Sequence, residues 1–328
     1  METDTRRQAL EAWLRTVRAD VSGPLEPASS DASFRRYFRV PVTGGSLVAM
    51  DAPPDREDTD PFVDVARRLA AAGLRVPAIL ARDRDRGFLL MTDLGRILYI
   101  DRLAEAPAGP LMDAAITALV RMQAGIDPAG LPVYDAARLG AELDLFPTWY
   151  VRRHLGVEPG AGWWRDWHAA RAALIARALG QARVFVHRDY MPRNLMVTGE
   201  GPGILDFQDA VAGPITYDLA SLLRDAFLSW PAADEERWIA AYRERAREAG
   251  LPVAADAAAF RRDLDAMAAQ RHLKVLGIFA RLCHRDGKPR YIADAPRFHA
   301  YLAREIGEDP ALQPLRAALA ALPHGAPA

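Results

Sequence analysis

The chain has 328 residues, half of them apolar, with 42 Lys and Arg against 43 Asp and Glu, enough length and apolar content for two packed lobes with a sizeable core. A formal net charge of −1 without a long single-sign run excludes the basic excess of a nucleic-acid binder. No apolar run approaches the roughly 18 residues of a spanning helix, the N-terminus is charged rather than signal-like, and the lone Cys283 has no disulfide partner; a cytoplasmic protein with no membrane attachment is expected.

Leu10, Trp13, Leu14 and Val17 recur on one helical face and predict a first helix from Arg6 to Asp20. After Pro24 and Pro27, strands are expected at Phe34 to Val40 and Ser46 to Ala49, joined at Thr43-Gly44-Gly45. Between the prolines and the first strand lies Ser29-Ser30-Asp31-Ala32-Ser33, whose small residues would let backbone amides approach an anion, or form an ordinary turn. A helix from Pro61 to Ala72 carries proline in its first turn and stops at Gly73. Strands Val76 to Ala81 and Gly87 to Met91 follow and deliver Met91-Thr92-Asp93-Leu94-Gly95. From there the pattern is mainly helical: Met112 to Gln123, Asp135 to His154 with a kink or split at Pro147, and Trp163 to Leu179. Leu145 to Tyr150 forms an aromatic cluster in which Trp149 and Tyr150 would either stack on a substrate ring or belong to the core.

The stretch richest in chemistry runs from Val184 to Asp209. An apolar strand leads into His187-Arg188-Asp189, Asn194 follows five residues after Asp189, and Leu205-Asp206-Phe207-Gln208 comes after a Gly-containing turn. Phosphoryl transfer needs these groups: a carboxylate to take the proton of the attacking hydroxyl, and an amide oxygen and second carboxylate to hold metal at the leaving phosphates. Asp189 is the candidate base, and Asn194 and Asp206 are the candidate metal ligands. Gly213 to Asp218 then opens a helix that continues to Phe227, with further helices at Asp234 to Ala249, Ala255 to Leu282 and Ala295 to Ile306, and an Ala-rich tail from Ala317. No internal repeat is found.

The Val184 to Asp209 stretch resembles the catalytic and metal-binding motifs of the aminoglycoside phosphotransferase and choline kinase family. Ser29 to Val40, Val186 to Leu195, Leu205 to Ala210 and Gln270 to Phe279 are similar to one subgroup, bacterial kinases that phosphorylate N-acetylmuramate and N-acetylglucosamine at carbon 1 in peptidoglycan recycling. The resemblance implies an α+β, two-lobed protein-kinase-like fold, with a small β-rich N-lobe over residues 1–95 and a larger helical C-lobe over 96–328. It implies ATP and Mg²⁺ as cofactors and a small-molecule amino sugar as partner. It also implies nucleotide contacts from Ser30, Asp31, Ala32 and Ser33, with Met91 and Asp93 at a hinge that binds adenine. Substrate contacts are implied from Gln270, His272 and Lys274, and structural support from His187 and Asp218, the latter bracing the catalytic loop.

One departure stands out: kinases of this fold usually place a lysine on the strand that here reads Leu47-Val48-Ala49-Met50-Asp51. The only lysines are Lys274 and Lys288, so the charge at the phosphates must come from Arg35, Arg36 or Arg39, or from metal. A kinase for amines or antibiotics, and a nucleotide-binding regulatory module without catalysis, remain alternatives on the residues alone. The segment Gln270 to Arg290 carries Arg271, Lys274, Arg281, Arg285, Lys288 and Arg290 against Asp286, which would suit an anionic sugar or simply be a solvated helix face.

Overall fold

The computed structural model describes residues 4–28 and 34–323. Two compact units divide the chain: Met1–Ala118 with Pro192–Asp209, and Leu119–Met191 with Ala210–Ala328.

The first unit is built on an antiparallel sheet in the order β1-β2-β3-β5-β4, from β1 (Glu26–Pro27), β2 (Arg36–Val42), β3 (Gly45–Asp51), β4 (Ile79–Asp83) and β5 (Phe88–Thr92). The β2–β3 register closes at Val42 opposite Gly45, leaving a two-residue turn in which Gly44 takes a φ of 86°; glycine reaches that left-handed region without steric cost. Helix α1 (Thr5–Val17) starts where the Asp4 carboxylate caps the Arg7 N–H at 3.0 Å, and it buries Leu10, Trp13 and Leu14 against Phe38, Val40, Ala49, Phe88 and Leu90 of the sheet. Helix α2 (Asp60–Ala71) has proline in its first turn and buries Phe62, Val65, Ala66 and Leu69. The short α3 (Tyr99–Leu103) and the first part of α4 (Gly109–Gly125) complete the unit with the hairpin β7 (Leu195–Thr198) and β8 (Gly201–Ile204). The fourth strand lies three residues later than the apolar run Val76 to Ala81 suggests. There Ala78 N–H is engaged by the Thr92 hydroxyl rather than by a ladder, and a register shift separates Ile79 from Ala81.

The second unit is helical around one short pair of strands, β6 (Arg183–Val186) and β9 (Val211–Pro214), antiparallel from Arg183 opposite Pro214 to Val186 opposite Val211. Its helices are α5 (Ala136–Leu143), α6 (Ala161–Leu179), α7 (Tyr217–Leu223), α8 (Ala232–Glu248), α9 (Ala257–His284), α10 (Ala295–Ile306) and α11 (Gln313–Ala320). The predicted helix from Asp135 to His154 is two elements. After α5, Pro147 brings no N–H to the ladder, and Phe146–His154 winds as a π-helix whose last turn closes from Leu155 N–H to the Tyr150 carbonyl at 2.9 Å. Gly213-Pro214, expected to open a helix, end β9 instead, and the helix begins only at Tyr217; pairing with β6 overrides the helix signal. Phe146, Tyr150, Trp163, Trp167, Leu273, Leu276, Phe298, Leu302 and Leu315 share one core between the π-helix, α6, α9, α10 and α11.

Candidate active site

In the second unit β6 ends at Val186 and the chain turns sharply through His187, Arg188 and Asp189. Arg188 has a φ of 78°, a conformation rare outside glycine and seen where surrounding structure holds strain at a functional loop. Asp218 near the start of α7 holds it: its carboxylate accepts the His187 N–H at 2.7 Å and the Arg188 N–H at 2.9 Å. Asp218 is fully buried, and loss of water pushes its pKa up to about 7, against the pull of those two N–H groups and of Arg271. The buried His187 Nδ1 accepts the Asp189 N–H at 3.3 Å, and Met191 N–H closes a turn on the Asp189 carbonyl at 3.0 Å.

Beside this loop stands a charge cluster that no local motif announces. Glu142 of α5 accepts from Arg188 at 2.5 Å, Lys274 at 3.1 Å, the Gln270 amide at 3.2 Å and the Tyr134 hydroxyl. Burial would raise the Glu142 pKa, yet Lys274 and Arg188 draw it below the usual carboxylate value. Lys274 also donates to the Tyr217 hydroxyl at 3.2 Å and lies within electrostatic reach of Asp189. Gln270 is fully buried with its Oε1 unpartnered among the described residues. The i, i+4 spacing of Gln270 and Lys274 on α9 was visible in the sequence; Glu142, 128 and 132 residues away, had no signal.

Two expected substrate contacts are corrected. His272 is 1% exposed and is locked between the Glu305 carboxylate at 2.9 Å and the Arg224 carbonyl at 3.1 Å, so it serves the core. Tyr150 is 3% exposed, stacks on Phe146 and bonds His299 Nε2 at 2.6 Å, so its ring is covered by protein; Trp149 packs half-buried against the same core. Two of the arginines counted as a basic face are engaged by neighbours: Arg285 pairs with Asp286 and Arg271 lies 5.0 Å over the Tyr217 ring.

In the first unit Asn194 ends a 3₁₀ turn (Pro192–Asn194), and the β7–β8 hairpin returns the chain so that Leu205 N–H bonds the Asn194 carbonyl at 3.0 Å. This brings Asn194 Nδ2 and Asp206 Oδ2 to 3.5 Å. Asp206 has a φ of 60° and its carboxylate is exposed, while the next residue, Phe207, is buried on Phe62 of α2 with ring centroids 4.7 Å apart. Gln208 donates to Asp206 Oδ1 at 2.9 Å and keeps its own buried Oε1 without a partner among the described residues. One carboxylate, one amide and an unpartnered buried carbonyl suit a hard cation such as Mg²⁺, which takes few protein oxygens. Among the described residues no group of three His, Cys, Asp or Glu gathers into a metal cage.

Ser30, Asp31, Ala32 and Ser33 lie outside the described residues. Met91 is buried in β5 opposite Val48, and the Asp93 carboxylate accepts from Arg39 at 2.6 Å, Ser46 at 2.7 Å and the Gly95 N–H at 2.9 Å. Any adenine contact here would therefore come from the backbone rather than from the Asp93 side chain.

Residues 24–257 match the model of the phosphotransferase enzyme family. Over 339 aligned positions covering all of both chains, the sequence is 50% identical to the N-acetylmuramate/N-acetylglucosamine kinase of Pseudomonas aeruginosa. It is 49% identical to the protein of the same name from Pseudomonas putida, over 99% of each chain. A solved choline/ethanolamine kinase family protein from Mesorhizobium loti superposes with a TM-score of 0.61 at 22% identity, covering 97% of this chain and 99% of its own. The fold is thus the protein-kinase-like one of the aminoglycoside and choline kinases, and the chain belongs to the phosphotransferase enzyme family.

Proposed function

We propose that the protein transfers the terminal phosphoryl group of ATP to the anomeric hydroxyl of N-acetylmuramate and N-acetylglucosamine. The observation that carries this is the 50% identity, over the whole of both chains, with a kinase named for those two sugars. In this reading residues 1–95 serve the nucleotide, through the segment around Ser30 to Ser33 and the backbone near Met91 and Asp93. Residues 96–328 carry the catalytic loop and the sugar.

Asp189 takes the proton of the anomeric hydroxyl as the bond from that oxygen to phosphorus forms and the bond from phosphorus to the β,γ-bridging oxygen breaks. An anomeric hydroxyl is more acidic than the other sugar hydroxyls, so a carboxylate held in place can take its proton late in the transfer. Asp218 and His187 hold it by fixing the backbone on both sides of Arg188. Asn194 and Asp206 would hold Mg²⁺, which when bound neutralises charge on the phosphates. Lys274, Arg188 and Gln270 are the groups available beside Asp189 to orient a sugar.

Phosphorus NMR of the product formed from N-acetylmuramate, ATP and Mg²⁺ tests the site of transfer. Coupling of phosphorus to the anomeric proton is expected, and coupling to the protons of carbon 6 would replace this reading with that of a hexose 6-kinase.

A further inference from the structure

Three arginines compete to replace the absent strand lysine, and the register of the sheet separates them. Tyr37 stands directly opposite Met50 and Arg36 directly opposite Asp51. Directly opposed residues of an antiparallel pair share a face and successive residues alternate. The face of Met50, where the usual lysine would be, is therefore the face of Tyr37 and Arg39, and Arg36 projects from the other one. Arg36 is spent there, bonded to the fully buried Asp51 at 2.5 Å and to Asp4, with Arg6 on the same Asp51. Arg39 has the right face, but its guanidinium is bound to Asp93 at 2.6 Å and to the Gly95 carbonyl at 2.8 Å, next to the end of β5.

Arg35 differs in place and partner. It immediately precedes β2 and interacts with the Tyr37 hydroxyl, and Tyr37 in turn feels the charge of Asp206. Arg35 itself lies within electrostatic reach of Asp209. Its Nε and Nη2 both rest on Glu57 Oε2, at 3.0 and 2.9 Å, with both side chains 14% exposed. An arginine held by a glutamate thus occupies the Tyr37 face, on the side of the candidate metal ligand Asp206.

We propose that Arg35, clamped by Glu57, is the cation that meets the phosphates of the nucleotide in place of the strand lysine. This rests on the nucleotide-dependent reading above but not on the identity of the sugar. Calorimetric titration of the full chain with ATP and Mg²⁺, and separately with adenosine, tests it without turnover. Arg35→Met should weaken ATP by about tenfold or more, the loss of one charge-assisted hydrogen bond, while adenosine binding stays unchanged. Glu57→Gln should weaken ATP by less, Arg35→Lys should recover part of the loss, and Arg36→Met should leave the ratio of the two affinities as it is. Should Arg35→Met not fold, Arg35→Gln carries the same comparison. ATP affinity within twofold of the parent in Arg35→Met or Arg35→Gln overturns the inference alone, whereas a parent protein that binds adenosine no less tightly than ATP overturns the nucleotide reading with it.

Discussion

The proposed mechanism places its most demanding role on Asp189, and the amide isostere of that residue isolates the role. Asp189→Asn keeps the size of the side chain and the turn at Met191 but removes the proposed proton acceptor. Turnover should fall by about 10²–10⁴ with ATP affinity within a few-fold of the parent; steady-state rates alongside nucleotide titration check both halves. His299 sets a second expectation at this scale. Its Nε2 faces the Tyr150 hydroxyl at 2.6 Å inside the core, and burial pushes its pKa down to about 4 from 6.5. The unfolded chain then takes up a proton that the folded chain refuses. The contribution of His299 is complete above pH 6.5 and is lost as pH falls toward 4, at up to about 1.4 kcal/mol per pH unit. Asp218, pushed up to about 7, has the opposite slope over the same range, so the comparison with His299→Gln isolates the histidine: in urea unfolding between pH 7 and pH 4 the parent should lose stability relative to His299→Gln as pH falls. Asp189, Asn194 and Asp206 could be proposed from the sequence because their spacing is local. Glu142 and the Arg35–Glu57 pair were not, since their partners are joined only by the fold.

At the scale of elements, the contact between α9 and the π-helix is the tightest constraint on the second unit. A Cβ on Gly277 would meet the carbonyl carbon of Leu145 at 2.5 Å and its oxygen at 2.7 Å, both backbone atoms that cannot swing away. Gly277→Ala should destabilise by about 1–3 kcal/mol through overpacking, read as a shift in denaturation midpoint, whereas alanine at the unobstructed Gly162 should not. Helix positions were mostly visible from apolar periodicity and capping, as at α2 with its Pro61 and Gly73. The π-helix was visible only as a break at Pro147, because periodicity at 3.6 residues does not encode a wider turn. Trp149 and Tyr150 left a sugar platform open beside the commoner core reading, for an aromatic cluster carries no record of which side is covered.

Across the whole molecule, composition and motifs indicated the class of fold, while the arrangement of charge had to be seen. Arg224 is fully buried and gathers Glu235, Asp265 and Glu305 from α8, α9 and α10 at 2.8, 2.6 and 3.1 Å. It is a structural centre that no spacing in the sequence foretold. The last helix belongs to the same core: α11 buries Leu315, Ala318 and Leu319, Leu312 is buried just before it, and the Trp163 indole N–H donates to the Ala318 carbonyl at 2.9 Å. A chain ended at Glu308 loses several buried leucines, each worth about 1.5–3 kcal/mol, against a typical total of about 5–15 kcal/mol. Calorimetry should show it without a cooperative transition. The Glu142 clamp has one further consequence, for reagents. Nearly all positive charge here is guanidinium, and of the two lysines Lys274 is held by Glu142 and Tyr217 while Lys288 is partly exposed. An acylating probe therefore finds Lys288 as its accessible side-chain amine, and the rate at which Lys274 is slowly acylated, read by mass spectrometry, becomes a clock for how often the cluster beside Asp189 lets go.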